Sequence, residues 1–317
     1  MKKKLSIFIL LLVFFAFGVL FEHFKIFPRN YIIGVIKQSY KILKSPIAES
    51  QLKNNQANLQ SCFNNFSEKN IEKIKNRILI IGHAYGVSEE NNKAIYPKLI
   101  EELKKQNTNV DLIILTGDVV RNPSIENYKL AMKQLSEFTD DIMIAPGNHD
   151  VGFDFKDPKR KIFINFFEKF YDYRIIDNNL FLAVDTNVGW TISNEQFEWI
   201  KEVIVENPDI DRIFLLSHQT PWRYKVKNYL ILDNIKKEHK INKKNKKLIN
   251  FKKVDSFFEK LEKSIFYVSG TVDHKFSLFC ETSQKFTYLA SGVGHKMNSM
   301  LNVFSNEKKI AINFHKF

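Results

Sequence analysis

Four short aliphatic runs, far apart along the chain, each break off at residues carrying oxygen or imidazole donors. Ile78–Ile81 is followed by Gly82-His83-Ala84-Tyr85-Gly86, and Leu112–Leu115 by Thr116-Gly117-Asp118. Ile142–Ala145 is followed by Pro146-Gly147-Asn148-His149-Asp150, and Ile213–Leu216 by Ser217-His218. Unbroken aliphatic runs of this length, without polar alternation, are the pattern of strands buried on both faces. Open α/β sheets build their sites at the C-terminal ends of such strands. Donors delivered from several rigid strand ends can converge on a metal. The grammar therefore predicts an α/β domain with a metal centre.

Between these strands, helical periodicity spans Lys93–Gln106, Ser124–Phe138, Lys159–Tyr171 and Asn194–Asn207, the last capped by Ser193 or Asn194. Leu180–Asp185 reads as a strand ending in Asp185-Thr186-Asn187. After Ile265 the chain turns strand-rich, with Ile265–Ser269, Phe276–Glu281, Lys285–Ala290, Leu301–Ser305 and Lys309–Phe314. Helix-separated strands followed by consecutive strands predict two sheets face to face with helices outside.

The chain has 317 residues and a net charge of +13, much of it in the lysine-rich stretch Ile235–Lys253. No aromatic interleaving accompanies those lysines, so a solvated insertion is expected there and no nucleic-acid partner. Two cysteines are too few for a disulfide framework. Cys280 lies in an apolar run and reads as a buried thiol, with one bridge to Cys62 as the alternative. At the N-terminus, Lys2-Lys3-Lys4 precedes Leu5–Phe21, a stretch without charge, at the ~17-residue lower limit for a span. The expected organisation is a basic tail at 1–4, a transmembrane signal anchor at 5–21, a juxtamembrane helix and polar linker at 22–75, and a folded domain at 76–317 with the insertion at 235–253. A cleaved signal peptide is the rival reading, with Ala16-Phe17-Gly18 as a poor cleavage site. The short basic tail favours a single-pass protein of the cell membrane with the domain on the extracytoplasmic side. The alternative is an enzyme held to the inner leaflet by its basic flank.

The ordered series Gly117-Asp118, Gly147-Asn148-His149-Asp150 and lone His218 resembles the calcineurin-like metallophosphoesterase family. That family's series is Asp-x-His, Gly-Asp, Gly-Asn-His-Asp/Glu, a lone His, then Gly-His-x-His. The match in order and approximate spacing runs from Ile78 to Phe314. The resemblance implies a four-layer αββα sandwich of two mixed β-sheets flanked by helices. It implies two divalent ions, of Mn, Fe, Mg or Zn, and phosphoester hydrolysis by metal-activated water. It casts Asp118 as the carboxylate bridging both ions, with the Asn148 amide oxygen and His218 on the second ion. His149 becomes the general acid or transition-state stabiliser, and Asp150 its orienting hydrogen-bond partner.

The first and last motifs depart from the family. His83 stands at the Asp position and Tyr85 at the His position. Tyr85 would ligate as phenolate or only hydrogen-bond. The closing motif is replaced by Ser269-Gly270-Thr271-Val272-Asp273-His274. In register, Thr271 and Asp273 take the histidine positions; a one-residue slip brings in His274. Asp273 keeps register and restores the carboxylate lost at position 83, so the expected first-ion set is His83, Asp118 and Asp273. Tyr85, Thr271, His274 and Asn187 remain further metal or substrate candidates, and Pro221-Trp222 a candidate cleft wall. The main reading is a membrane-anchored metal-dependent phosphoesterase acting on a phosphorylated substrate, an envelope glycan or lipid among the classes considered. The alternative is a catalytically degenerate phosphate- or glycan-binding module of the envelope.

Overall fold

The computed structural model describes residues 76–86, 93–106, 109–224, 247–270, 278–283, 285–294 and 298–317. All belong to one compact unit, Asn58–Phe317. The strands are β1 (Asn76–Ile81), β2 (Leu112–Thr116), β3 (Ile142–Ala145), β4 (Asp172–Ile176), β5 (Asn179–Val184), β6 (Arg212–Ser217), β7 (Ser264–Ser269), β8 (Leu278–Thr282), β9 (Phe286–Ser291), β10 (Ser299–Ser305) and β11 (Ile310–Lys316). One sheet has the order β11-β10-β1-β2-β3 and the other β4-β5-β6-β7-β9-β8. In the first, β1, β2 and β3 are parallel, with Ile78 opposite Leu112 and Ile113 opposite Ile142. In the second, β5, β6, β7 and β9 are parallel, and antiparallel β4 and β8 close the edges. Both sheets are mixed.

The unbroken aliphatic runs now have a cause. Ile78, Ile80, Leu112, Ile114, Phe181, Phe214, Leu216, Phe266 and Val268 form a core between the sheets. Their neighbours Leu79, Ile81, Ile113 and Leu115 point the other way, into a second core. That outer core is covered by helices α1 (Pro97–Gln106), α2 (Ile125–Leu135), the short α3 (Asn148–Val151) and α4 (Lys159–Phe167). On the far side, Leu180, Leu182, Ile213, Leu215, Ile265 and Tyr267 meet α5 (Asn194–Glu206) and α6 (Phe251–Lys260). The layers are therefore αββα, as expected. Pro97 opens α1, where its missing N–H costs nothing. Ser124 and Ser193 cap α2 and α5 by accepting from Asn127 N and Gln196 N, each at 3.1 Å.

Several expectations change. The helix read over Lys159–Tyr171 ends at Phe167, where Glu168 turns left-handed with φ 64°. The following segment is strand β4. The lysine-rich insertion, expected to stay solvated to Lys253, is packed at its C-terminal end. Leu248 bridges to Ser193, Ile249 and Phe251 are buried, and α6 begins at Phe251. Its apolar residues Phe251, Val254 and Phe258 recur at helical spacing beneath the lysines. Cys280 is disulfide-bonded rather than a buried thiol. The sequence holds one other cysteine, Cys62, which lies outside the described residues. The expected anchor at 5–21 and the linker at 22–75 also lie outside them. Among the described residues no helix is long and apolar enough to cross a membrane.

One buried acid gives the domain a pH signature. Asp255 of α6 accepts the Tyr267 hydroxyl at 2.6 Å. Burial pushes its carboxyl up to about 7, with Glu259 adding to the rise and the tyrosine bond opposing it. A folded pKa raised above the unfolded one stabilises fully below the unfolded value, and that stabilisation is lost as pH climbs through the folded value. The domain is therefore expected to lose stability between about pH 4 and 7 and then level off on this account. Asp255→Asn should flatten that slope and melt several degrees above the parent at pH 8, on the scale of ~2–4 °C per kcal/mol for a domain of this size. Parallel melting-versus-pH curves for parent and variant would contradict the assignment.

Candidate metal centre

His83, Asp118 and Asn148 follow β1, β2 and β3, three adjacent parallel strands of one sheet. His218 follows β6 in the other sheet. Two candidate ligands sit on strained backbone: His83 and Asp118 both have φ 56°, a left-handed conformation uncommon outside glycine. Two glycines make room. A Cβ on Gly117 (φ 83°) would lie 2.5 Å from the His218 side chain. A Cβ on Gly147 would lie 2.1 Å from Asp118 N and 2.2 Å from its Oδ1. The two Gly-containing motifs are thus forced by close approach of backbone to ligand.

Asp118 lies at the centre. Its Oδ2 is 3.5 Å from His83 Nε2 and 3.4 Å from His218 Nε2. Its Oδ1 accepts the His149 backbone N–H at 2.9 Å. Burial works to raise the Asp118 carboxyl, but His218, His83 and His149 outweigh it and hold it below its ordinary range. His218 Nδ1 faces the Thr116 carbonyl at 3.1 Å. A carbonyl only accepts, so Nδ1 carries a proton, and whenever the ring is neutral its Nε2 presents a lone pair. That lone pair points at Asp118 Oδ2 and, at 3.1 Å, at Asn148 Oδ1. With the ring neutral, donor atoms from three strand ends converge on His218 Nε2, an arrangement that a proton there or a cation among them relieves. The chemistry of this donor set fits a divalent ion.

The set is partial. Among the described residues no three His, Cys, Asp or Glu side chains form a metal-holding group by themselves. The His218 side reaches three donors only by counting the Asn148 amide. Asp273, Thr271 and His274 lie outside the described residues. Strand β7 ends beside the site, where Gly270 N donates to Ser217 O at 2.9 Å.

His149 and Asp150 separate in role. The His149 imidazole does not meet Asp150; its Nδ1 faces the Arg121 carbonyl at 3.1 Å. That carbonyl fixes the tautomer in the way expected of the carboxylate. Asp150 instead is fully buried and braces the loop, accepting from Gly147 N at 2.9 Å, Val119 N at 3.2 Å and the Tyr128 hydroxyl at 3.3 Å. Burial, with the Asp118 charge adding to it, pushes the Asp150 carboxyl up to about 7. Asp150→Ala strands these buried donors at ~1–3 kcal/mol each and is expected to cost about 3 kcal/mol or more in urea unfolding. Asp150→Asn, which keeps an acceptor, should cost less; an Ala variant as stable as the parent would remove the bracing role.

The remaining candidates also find places. The Tyr85 ring is buried with its centroid 4.3 Å from that of His83 and 5.1 Å from that of His149. Burial first, then Asp118, raise its hydroxyl above the ordinary phenol range, against a lowering pull from Arg121. Asn187 is fully buried and ties the Pro146 carbonyl at 2.7 Å to Asp185 Oδ1 at 2.9 Å. Asp185 in turn pairs with Arg160 of α4 at 2.5 Å. Trp222 is no cleft wall: it is 1% exposed and donates its indole N–H to Ser269 Oγ at 3.0 Å. Gln219 is the residue the sequence reading passed over. Its Nε2 donates to Asn148 Oδ1 at 3.0 Å. Its only sequence signal is its place directly after a candidate ligand.

Comparison with known proteins agrees with this geometry. The family profile described as calcineurin-like phosphoesterase matches residues 77–255. The 3',5'-cyclic adenosine monophosphate phosphodiesterase CpdA of Haemophilus influenzae is 23% identical over 138 residues, 40% of this chain and 47% of that protein. The purple acid phosphatase PPD1 from yellow lupin seeds matches with a TM-score of 0.55 at 13% identity, over 76% of this chain and 51% of that one. The chain thus spans about half the length of each. At that identity the lupin structure bears on the fold alone. The profile covers more than half of the chain and takes in His83, Asp118, Asn148, His149 and His218, and the chain belongs to the calcineurin-like phosphoesterase family.

Proposed function

We propose that this protein is a metal-dependent phosphoester hydrolase anchored at the membrane, with His149 as its general acid. The observation that carries the reading is the convergence of Asp118 Oδ2 and Asn148 Oδ1 on His218 Nε2, at 3.4 and 3.1 Å. Asp118, Asn148 and His218 would hold one divalent ion, with Asp118 shared toward a second on the His83 side. When bound, such ions neutralise phosphoryl charge and acidify water.

The chain's own groups do the rest. His149 commits Nδ1–H to the Arg121 carbonyl, which leaves Nε2 to carry the proton given to the leaving oxygen. Tyr85 packs its ring against both His83 and His149. Asp118 Oδ1 holds the backbone of His149 in place through its N–H. The phosphodiesterase and phosphatase named above support a phosphoester as substrate and leave a monoester and a diester as two arms of one test. The full-length chain, stripped with chelator and reloaded with Mn, Fe, Mg or Zn, is expected to hydrolyse p-nitrophenyl phosphate or bis-p-nitrophenyl phosphate only after loading. Uptake of one ion or none, with no hydrolysis of either ester, would instead favour the degenerate phosphate- or glycan-binding module.

Lys2-Lys3-Lys4 ahead of Leu5–Phe21 supports anchoring with the domain outside. The disulfide at Cys280 supports the same side, because such bonds persist in oxidising compartments. An envelope glycan or lipid phosphate is the substrate class that this location brings within reach.

A further inference from the structure

We infer that Gln219 is a positioning residue that turns the Asn148 amide oxygen toward the metal side of the site. The inference rests on the metal-dependent reading above and names a residue that serves it. An asparagine amide has two nearly equivalent faces, and only the oxygen can ligate a cation. Nothing in Asn148 itself selects that face. His218 works against it whenever its ring is neutral: with Nδ1–H given to Thr116 O, the Nε2 lone pair prefers the amide N–H2. Gln219 supplies the opposing preference, because its Nε2 donates to Asn148 Oδ1 at 3.0 Å. A carbonyl oxygen has two lone pairs, so one bond to Gln219 leaves the second for an ion.

Gln219 is built into place. It is 2% exposed. Its backbone N–H donates to Thr186 Oγ1 at 3.2 Å, at the end of β5. Its carbonyl accepts from Ser217 Oγ at 2.8 Å and Ser269 Oγ at 3.0 Å, at the ends of β6 and β7. Three strand ends of one sheet thus fix the backbone from which a side chain crosses to a loop of the other sheet. The two amides switch as a pair. When Gln219 donates, Asn148 shows oxygen to the ion; when position 219 can only accept, Asn148 must turn its nitrogen there.

That coupling makes a prediction opposite in sign to simple electrostatics. A glutamate at position 219 adds negative charge beside a cation site, and charge alone would tighten binding. Gln219→Glu, however, has only acceptors when ionised and forces the amide nitrogen of Asn148 toward the ion. Mn(II) titration of the full-length protein, read by calorimetry and by electron paramagnetic resonance, should show Gln219→Met binding about 10-fold or more weakly, the range for partners that orient a ligand. Gln219→Glu should bind more weakly still, although its volume is that of the parent. In an Asn148→Ala background, Gln219→Met should cause no further loss, which a general packing defect would not reproduce. Unchanged or tighter Mn(II) binding in Gln219→Glu, or a further loss in the Asn148→Ala background, overturns the role of Gln219 and leaves the metal site standing. A parent that takes up no ion overturns both.

Discussion

Asp118→Asn is expected to abolish hydrolysis and to weaken divalent-ion binding more than 100-fold while the fold survives. The fold survives because asparagine, after glycine, is the residue that most readily tolerates the left-handed backbone, here φ 56°, that Asp118 adopts. Its amide oxygen also keeps an acceptor for the His149 N–H now held at 2.9 Å. Binding fails because the lost charge is the one that faces both His83 and His218 through a single oxygen. Partners that merely orient ligands are worth ~10–100-fold in metal affinity, so loss of a carboxylate that would be shared by two ions should exceed that range. Elemental analysis after dialysis reads the ions, and a melting curve in chelator reads the fold. An asparagine variant that retains the parent's metal content would remove Asp118 from the centre of the site.

The sequence exposed the strands that bear on that variant because burial on both faces erases polar alternation. Ile78–Ile81 alternates between two cores and so reads as four apolar residues in a row. The metal side of the site was legible for a related reason. Gly117 and Gly147 are required by contact with His218 and Asp118, and this requirement is visible as a residue type. What stayed hidden depended on atoms rather than residue types. Strand β4 is half-exposed along its length and carries Asp172 and Arg174, so it shows neither alternation nor a buried run. Helix α6 was masked by lysines on its outer side. The partner of His149 is a backbone carbonyl, which every residue possesses, so the family resemblance pointed to another neighbour, Asp150. Trp222 stands near a candidate ligand in the chain yet turns into the core beneath α5 and α6, against Tyr288, with ring centroids 5.4 Å apart.

The same separation of His149 from Asp150 sharpens the second large effect. His149→Ala is expected to keep the parent's metal content and lose about 10²–10⁴ in turnover, the usual share of a positioned acid. Metal content holds because the substitution leaves Asp118, Asn148 and His218 intact. The Asp118 Oδ1 bond also survives, since it is made to the backbone N–H of residue 149. The size of the loss should depend on the ester. A proton delivered to the leaving oxygen matters most when that oxygen is a strongly basic alkoxide and least when it is a p-nitrophenolate. Alkyl phosphates should therefore suffer more than aryl phosphates, and a plot of activity against leaving-group basicity should steepen in the variant. Equal losses across the series would move His149 from acid to charge stabiliser of the transition state. Turnover equal to the parent's on every ester would take His149 out of the mechanism. The proton's path is testable by one more change, since the Nδ1 bond to Arg121 O holds the ring from the side opposite Nε2. A glutamine at position 149 can donate from its amide but cannot release a proton. His149→Gln should thus match the alanine variant on alkyl esters and recover part of the activity only where charge stabilisation, not proton transfer, limits the rate.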